Sequence, residues 1–156
     1  MSIVYIGIGS NLDDRQANCR GAVEMLKTSG LKILKESSLI ETLPWGVEDQ
    51  PLFLNMAVEA ETDLRPEVLL LLLQNIEALL GRQKTVHWGP RLIDLDILFY
   101  DNLVIDLPGL KIPHPYLHER DFVIGPLAEI APSIIHPVLS ETISELKMRL
   151  KAKSLK

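Results

Sequence analysis

The sequence predicts one α+β domain of the ferredoxin-like sandwich type, with helices packed on a mainly antiparallel sheet. Three observations support this prediction. Segments with strand and helix periodicity follow one another in the order strand, helix, strand, strand, helix, strand. The length of 156 residues suits a single compact core. No linker, repeat or low-complexity tract interrupts the chain, so we assign residues 1–156 to one domain and expect the helices on one face of the sheet.

The first strand and helix are indicated by an apolar run followed by a capping residue. The strand is predicted at Val4 to Ile8. The stretch from Gly7 to Leu12 lacks the last glycine of G-x-G-x-x-G, and we interpret it as a strand-to-helix turn rather than a phosphate cradle. Asp13 or Asp14 caps the next helix and Gly30 ends it. Its apolar stripe consists of Cys19, Ala22, Val23 and Leu26.

Two further strands and a leucine-rich helix follow. Strands are predicted at Leu31 to Glu41 and at Phe53 to Glu61. The second helix has Pro66 in its first turn, where the missing N–H costs little. Gln74 and Glu77 lie three residues apart and are expected on a separate, polar face. The apolar stripe of this helix consists of Val68, Leu69, Leu72, Leu73, Ile76, Leu79 and Leu80.

The last third begins with the strand "RLIDLDILFY", which runs from Arg91 to Tyr100. A turn is predicted at Tyr100 to Asn102. Short strands and proline-punctuated turns are expected after it, and an amphipathic helix near Ile143 to Leu150 closes the chain.

Composition narrows the functional classes. The chain is 47% hydrophobic and 24% charged, as is usual for globular proteins, and its net charge of -5 argues against broad binding to nucleic acids or anionic membranes. Cys19 is the single cysteine, which rules out an internal disulfide and fits a reducing compartment. No signal-like start is evident, and the run from Val68 to Leu73 is too short to span a bilayer. A cytoplasmic location is therefore expected.

Two aspartates stand in the middle of the apolar strand. Residues i and i+2 of a strand point to the same face, so Asp94 and Asp96 project together, roughly 7 Å apart at Cα. Like charges repel, and a divalent cation would relieve that repulsion; Mg²⁺ prefers a few carboxylates together with water and phosphate oxygens. Alternatively, the pair is the polar outer face of a half-exposed strand. Ile93, Leu95, Ile97 and Phe99 are expected on the opposite, buried face.

A basic loop precedes the aspartates and favours the metal interpretation. Arg82, Lys84, His87 and Arg91 lie between Gly81 and the strand. Basic side chains beside a metal-binding carboxylate pair suit a polyphosphate, because several oxygens must be neutralised at once.

These motifs resemble those of the 6-hydroxymethyl-7,8-dihydropterin pyrophosphokinase family. The resemblance rests on "HWGPRLIDLDIL" and is supported, in the expected order, by "YIGIGSNL", "TLPWGVEDQPLFLN" and "IPHPYLHERDFVIGPLAEIAP". It implies a ferredoxin-like fold and an enzyme of folate biosynthesis. Members of the family transfer the pyrophosphoryl group of ATP to the hydroxymethyl group of 6-hydroxymethyl-7,8-dihydropterin and release AMP.

The resemblance also implies a set of site residues. Two Mg²⁺ ions are expected with ATP, held by Asp94 and Asp96, and one of these carboxylates, Asp96, is a candidate acceptor of the substrate's hydroxyl proton. The implied catalytic residues are Asp94, Asp96, Arg82 and Arg91. The implied ATP-binding residues are Gln74, Glu77, Lys84, Trp88, Arg91, Ile97, Lys111, His114 and Arg120. The implied pterin-binding residues are Thr42, Leu43, Pro44, Trp45, Phe53, Asn55 and Phe122.

Some of these assignments have alternatives or depart from the family pattern. The polar face of a helix accounts for Gln74 and Glu77 equally well. Phe53 replaces a tyrosine of well-known members, and without the resemblance it would more often be a core residue. His87 stands where arginine is frequent. Gly109 stands where some members carry an arginine for ATP, and Lys111 is the candidate substitute.

Two other functional classes compete with the enzyme. A non-catalytic ferredoxin-like module that binds a nucleotide or metal would bind ATP without turnover. An RNA-binding sheet would need exposed aromatic residues and a basic face, and it ranks last because the chain has a net charge of -5 and 5% aromatic residues. The expected partners are therefore ATP and the pterin, without nucleic acid or membrane, and the expected state is a monomer.

Overall fold

The computed structural model describes residues 1–42, 52–81 and 93–154. Among them, seven strands and four α-helices are formed. In chain order they are β1 (Ser2–Ser10), α1 (Arg15–Thr28), β2 (Lys32–Glu36), β3 (Ile40–Thr42), β4 (Phe53–Thr62), α2 (Pro66–Leu79), β5 (Asp94–Tyr100), β6 (Ile105–Leu107), β7 (Leu110–Ile112), α3 (Asp121–Ile130) and α4 (Ile143–Ser154), with a short 3-10 helix at Leu117–Glu119 before α3.

The main sheet has the strand order β2-β4-β1-β5, with β3 also paired to β4, and its pairings are antiparallel. The strands β2 and β5 form the two edges of this path, and β1 lies in the interior between β4 and β5. This order is that of the ferredoxin-like sandwich, and the predicted fold class is confirmed. A two-stranded hairpin of β6 and β7 forms a separate small sheet.

Helices cover both faces of the main sheet, whereas we predicted them on one face from the sequence. One core cluster joins Ile6 and Val58 of the sheet with the stripe of α1 and most of the stripe of α2. Val68 and Leu79, which were predicted in the α2 stripe, are exposed instead, because they lie at the edges of the helix face that packs on the sheet. A second cluster joins Tyr5, Ala57 and Phe99 of the sheet with α3 and α4. Alternate residues of β1 and β4 point to opposite faces, so both faces carry apolar side chains that need cover.

The first helix is built as its sequence predicts. The side chain of Asp14 accepts the backbone N–H of Ala17 and so caps α1. The stripe formed by Cys19, Ala22, Val23 and Leu26 is buried. Gly30 follows the helix with φ of +99°, a conformation that glycine adopts without strain.

A β-bulge in β5 corrects the predicted faces of that strand. Ile6 pairs with Ile97 and Tyr5 pairs with Phe99, which leaves Leu98 without a partner in β1. The extra residue reverses the alternation beyond Ile97. Phe99 therefore packs against α3 and α4 rather than sharing the face of Leu95 and Ile97 as predicted.

Three local predictions were wrong. The segment predicted as one strand from Leu31 to Glu41 forms β2 and β3, separated at residues 37–39. Gly7 and Gly9 lie inside β1 rather than in a turn. The helix α3 was missed because Gly125 and Pro126 lie within it, and both residues normally argue against a helix interior. In the part of the chain that the structure describes, we find no helix of sufficient length and apolarity to cross a membrane.

Candidate active site

Asp94 and Asp96, which we call the acid pair, lie on β5, on the face opposite α2. Asp94 pairs with Gly9 of β1, and Asp96 pairs with Gly7. Leu95, between the two aspartates, is 5% exposed and packs with the cluster under α1 and α2, whereas both aspartates are half-buried. The positions opposite them are glycines, and the side chains of Leu98 and Asn55 lie close over Gly7 and Gly9, respectively. The two aspartates share one face, as the sequence predicted.

Two nitrogen-containing side chains, the imidazole of His114 and the guanidinium of Arg120, lie near the acid pair in the segment after β7. The backbone N–H of His114 donates to the carbonyl of Leu98, the bulged residue of β5, at 3.2 Å. Burial and the neighbouring charge of Arg120 together lower the pKa of His114 to about 4, against the opposing effect of Asp94. The Nδ1 atom of His114 accepts the N–H of Tyr116 at 3.3 Å, so the proton of the neutral ring lies on Nε2.

Arg120 is the most buried cation of the site among the described residues, with 5% exposure. Burial lowers the pKa of its guanidinium, and the charges of Asp96 and Asp94 oppose that shift. Its guanidinium carbon lies 5.0 Å from the centre of the Tyr116 ring and 5.5 Å from that of Phe122. Both distances are within the range of cation–π attraction. Arg120 thus links the acid pair to the first turn of α3, where Phe122 stands.

A second group of polar and aromatic side chains lies on β3 and β4, across β1 from the aspartates. Asn55 pairs with Gly9 and is 6% exposed. Its Nδ2 donates to Oγ1 of Thr42 on β3 at 2.6 Å. A Cβ atom at Gly9 would lie 2.8 Å from Oδ1 of Asn55 and 3.6 Å from Cδ1 of Phe53. Phe53 and Asn55 therefore lie against Gly9, and Thr42 joins this group through its bond to Asn55.

Four other predicted ATP-binding residues stand apart from these groups. Glu77 is 5% exposed rather than part of a polar face, and its carboxylate accepts the N–H of Leu95 at 2.9 Å. Gln74 is exposed on α2, and the side chain of Ile97 packs in the core under that helix. Lys111 forms an exposed ion pair with Asp106 across the β6–β7 hairpin.

The family of the chain follows from its sequence matches. Residues 5–132 match the family described as 7,8-dihydro-6-hydroxymethylpterin-pyrophosphokinase (HPPK). The chain belongs to this family. The predicted family and the predicted class of enzyme, a pyrophosphokinase, are confirmed.

Relatives and solved structures agree with this assignment. A 2-amino-4-hydroxy-6-hydroxymethyldihydropteridine pyrophosphokinase of Aquifex aeolicus (strain VF5) is 44% identical over 94% of this chain and 91% of its own length. The "Folic acid synthesis protein fol1" of Pneumocystis carinii is 45% identical over 90% of this chain, which spans 19% of that relative. A solved HPPK-DHPS in complex with substrates superposes with a TM-score of 0.80 at 15% identity, over 97% of this chain and 44% of the solved one. The last likeness supports the fold.

The site residues predicted from the sequence thus fall into four sets: two groups that come together, one set that lies apart from them, and one set outside the described residues. Asp94, Asp96, His114, Arg120 and Phe122 come together, and Thr42, Phe53 and Asn55 form the second group. The remainder inside the described residues is Gln74, Glu77, Ile97 and Lys111. The predicted residues outside the described ranges are Leu43, Pro44, Trp45, Arg82, Lys84, Trp88 and Arg91, together with His87 of the basic loop.

Two residues beside the predicted site groups, Gly9 and Tyr116, were not predicted from the sequence. Gly9 leaves room for the amide of Asn55, and a glycine inside a strand is a signal of such a close approach. Tyr116 stands between His114 and Arg120 in the sequence and contacts both. The sequence signal for Tyr116 was its position, as an aromatic residue between the two candidate phosphate-binding residues His114 and Arg120.

The acid pair fits Mg²⁺ better than a transition metal. The residues that the structure describes contain no group of three or more His, Cys, Asp or Glu side chains that could hold a metal. Two carboxylates alone match an ion that completes its shell with water and phosphate oxygens. Asp94 and Asp96 would hold such an ion on the open side of β5.

Proposed function

We propose that this chain transfers the pyrophosphoryl group of ATP to the hydroxymethyl group of 6-hydroxymethyl-7,8-dihydropterin. The hydroxymethyl oxygen forms a bond to the β-phosphorus of ATP, and the bond from that phosphorus to the oxygen bridging the α-phosphorus breaks, so AMP leaves. One observation carries the proposal. The acid pair lies on one face of the sheet with His114 and Arg120 nearby. Thr42 and Asn55 lie on the other side of β1, which carries Gly7 and Gly9 between the two groups.

The donor side of the site consists of Asp94, Asp96, His114 and Arg120. Mg²⁺ held by the aspartates would neutralise phosphate oxygens and align the displacement. Arg120 presents a buried guanidinium, whose several N–H donors suit phosphate oxygens. His114, neutral because its pKa is about 4, donates through Nε2 rather than as a cation. Arg82 and Arg91 are assigned here by resemblance alone.

The acceptor side consists of Thr42, Phe53, Asn55 and Phe122. The bond from Nδ2 of Asn55 to Thr42 orients the amide and leaves its Oδ1 to accept an N–H of the pterin. Phe53 and Phe122 offer ring faces for offset stacking on a flat heterocycle. Leu43, Pro44 and Trp45 are assigned to this side by resemblance.

Conversion of ATP to AMP tests the proposal. We expect AMP to form only when Mg²⁺ and the hydroxymethyl pterin are both present; formation of ADP would refute pyrophosphoryl transfer. Asp94→Asn and Asp96→Asn should each lower kcat/KM by about 100-fold or more, because each removes charge from the acid pair. Asp63→Asn, at a carboxylate whose side chain is 76% exposed, is the matched control and should keep normal turnover. Normal turnover in both site variants would refute the roles of the aspartates.

Three finer assignments complete the proposal. Two Mg²⁺ ions act with each ATP, which titration of activity against free Mg²⁺ and equilibrium metal binding would test. The protein acts as a monomer, which light scattering after size exclusion would test. It resides in the cytoplasm, where the thiol of Cys19 stays reduced.

A further inference from the structure

We propose that Arg15 is a positioning residue of the acceptor side, whose guanidinium ties the end of β3 to the start of β4 and so places Thr42 and Phe53 for the pterin. The inference rests on the proposed function, in which Thr42 and Phe53 belong to the acceptor side. Arg15 is the first residue of α1 and is not among the predicted site residues.

One nitrogen of Arg15 joins two segments that are distant from it in sequence. Its Nη1 donates to Oε1 of Glu41 at 2.9 Å and to the backbone carbonyl of Leu52 at 2.8 Å. Both distances are typical of charge-assisted hydrogen bonds. Glu41 immediately precedes Thr42 in β3. Leu52 immediately precedes Phe53, the first residue of β4. Arg15 therefore binds the chain next to two residues of the acceptor side.

The backbone of Arg15 is joined firmly to the main sheet. The side-chain amide of Asn18, in the first turn of α1, donates to Oγ of Ser10 at 3.2 Å and to the carbonyl of Leu12 at 3.1 Å. Ser10 is the last residue of β1. The apolar stripe of α1 also packs in the core under the sheet. The guanidinium thus extends from a helix end whose position relative to β1 is fixed.

The strand β3 depends on such a tie because it is short and lies at an edge. It has three residues, and in the described part of the sheet it pairs with β4 alone. Thr42, its last residue, pairs with Phe53 and accepts the 2.6 Å bond from Asn55. Short segments with few buried contacts open locally more easily than the core. Loss of the tie at Arg15 would therefore let Thr42 move and would leave the amide of Asn55 less well oriented.

The effect of Arg15 is expected in acceptor binding rather than in global stability. The side chains of Arg15 and Glu41 are 32% and 51% exposed, and exposed ion pairs add little to the free energy of unfolding. The pair formed by Arg149 of α4 and Glu141 is also partly exposed and involves no residue of β3 or β4. Arg149→Met is therefore a matched control for the loss of an arginine–glutamate pair.

Steady-state kinetics of AMP formation by Arg15→Met test the inference. Methionine keeps an unbranched side chain and a high helix propensity, but it cannot form either hydrogen bond. We expect the KM for the pterin to rise by about threefold to tenfold and the KM for ATP to stay within about twofold. Arg149→Met should leave both KM values within about twofold. An unchanged KM for the pterin in Arg15→Met, or an equal rise for both substrates, would overturn the inference.

A double-mutant cycle with Glu41→Met shows whether the effect acts through the bonds of Arg15. Glu41→Met removes one of the two bonds, so it should raise the KM for the pterin less than Arg15→Met does. When Arg15 is already replaced, Glu41→Met should cause no further rise, because its partner is absent. Full additivity of the two changes would show that they act independently and would overturn the inference.

NMR spectra of the free protein give a readout that does not need turnover. The side-chain amide signals of Asn55 should shift in Arg15→Met and keep their positions in Arg149→Met, because the bond from Asn55 to Thr42 depends on β3. Unshifted signals in Arg15→Met, or equal shifts in both variants, would overturn the inference. A wild-type protein that forms no AMP would instead refute the proposed function, so the two failures are distinct.

Discussion

The close approach of Asn55 to Gly9 is the feature of the acceptor side that a single methyl group can test. In Gly9→Ala, the new Cβ would lie 2.8 Å from Oδ1 of Asn55. An ordinary contact between carbon and oxygen is about 3.3 Å or longer, so the amide must move by about 0.5 Å. The backbone of Gly9 does not lie in the left-handed region, so the cost comes from space rather than from strain.

The displaced atom belongs to Asn55, whose side chain already forms a hydrogen bond with Thr42. Moving the amide of Asn55 lengthens or misaligns its 2.6 Å bond to Thr42, and a bond of this kind is worth about 1 kcal/mol. A misplaced Oδ1 would also weaken its bond to the pterin by a similar amount. Together, about 1 to 2 kcal/mol of acceptor binding would be lost, which is about fivefold to thirtyfold in KM for the pterin.

Initial rates of AMP formation, measured with each substrate varied in turn, give the result. Gly9→Ala should raise the KM for the pterin and leave the KM for ATP within about twofold. Gly7→Ala is the matched control on the same strand and face, because the atoms nearest to its Cβ would belong to the side chain of Leu98, at 3.3 Å or more, rather than to Asn55. Equal acceptor KM values in the two variants would refute the assignment of Asn55 and Gly9 to the acceptor side.

Three further predictions concern Glu77, His114 and Cys19. Glu77→Ala should lower the free energy of unfolding by about 1 to 3 kcal/mol because it removes the acceptor for Leu95 N–H, and Glu77→Gln should recover most of it; equal losses by chemical denaturation would contradict this. The NMR titration of His114 should have its midpoint near pH 4, and because the unfolded imidazole takes up a proton first, stability should fall as pH drops from about 6.5 towards 4; a midpoint near 6.5 would contradict the burial described. The pKa of Cys19 is raised to about 11 by burial, so a thiol reagent at pH 8 should react with it slowly in the native protein and rapidly in denaturant; fast native reaction would show that α1 opens readily.

The fold was predictable where sequence pattern and packing agree. The stripe of α1, its cap at Asp14 and the strand of the aspartates each follow from local periodicity, and the structure bears them out. The prediction was wrong where a local signal conflicts with tertiary packing. Gly125 and Pro126 argue locally against a helix, so α3 was not predicted. The helix forms because its apolar side chains cover the second face of the sheet.

The site was predictable in its residues rather than in its arrangement. The shared face of Asp94 and Asp96 follows from the two-residue period of a strand, so it could be inferred without a fold. The burial of Glu77 could not, because it depends on an edge N–H of β5 that comes into reach only when α2 packs on the sheet. The contact between Tyr116 and Arg120 likewise requires the 3-10 turn that no periodicity predicts.

The position of the metal is the most direct test of the account. Crystals grown with Mn²⁺, the hydroxymethyl pterin and an unreactive ATP analogue would locate the metal by anomalous scattering. We expect metal peaks bound directly to carboxylate oxygens of Asp94 and Asp96, at about 2.0 to 2.3 Å, with phosphate oxygens completing the shell. Metal bound elsewhere, with both aspartates hydrated and the nucleotide away from β5, would contradict it.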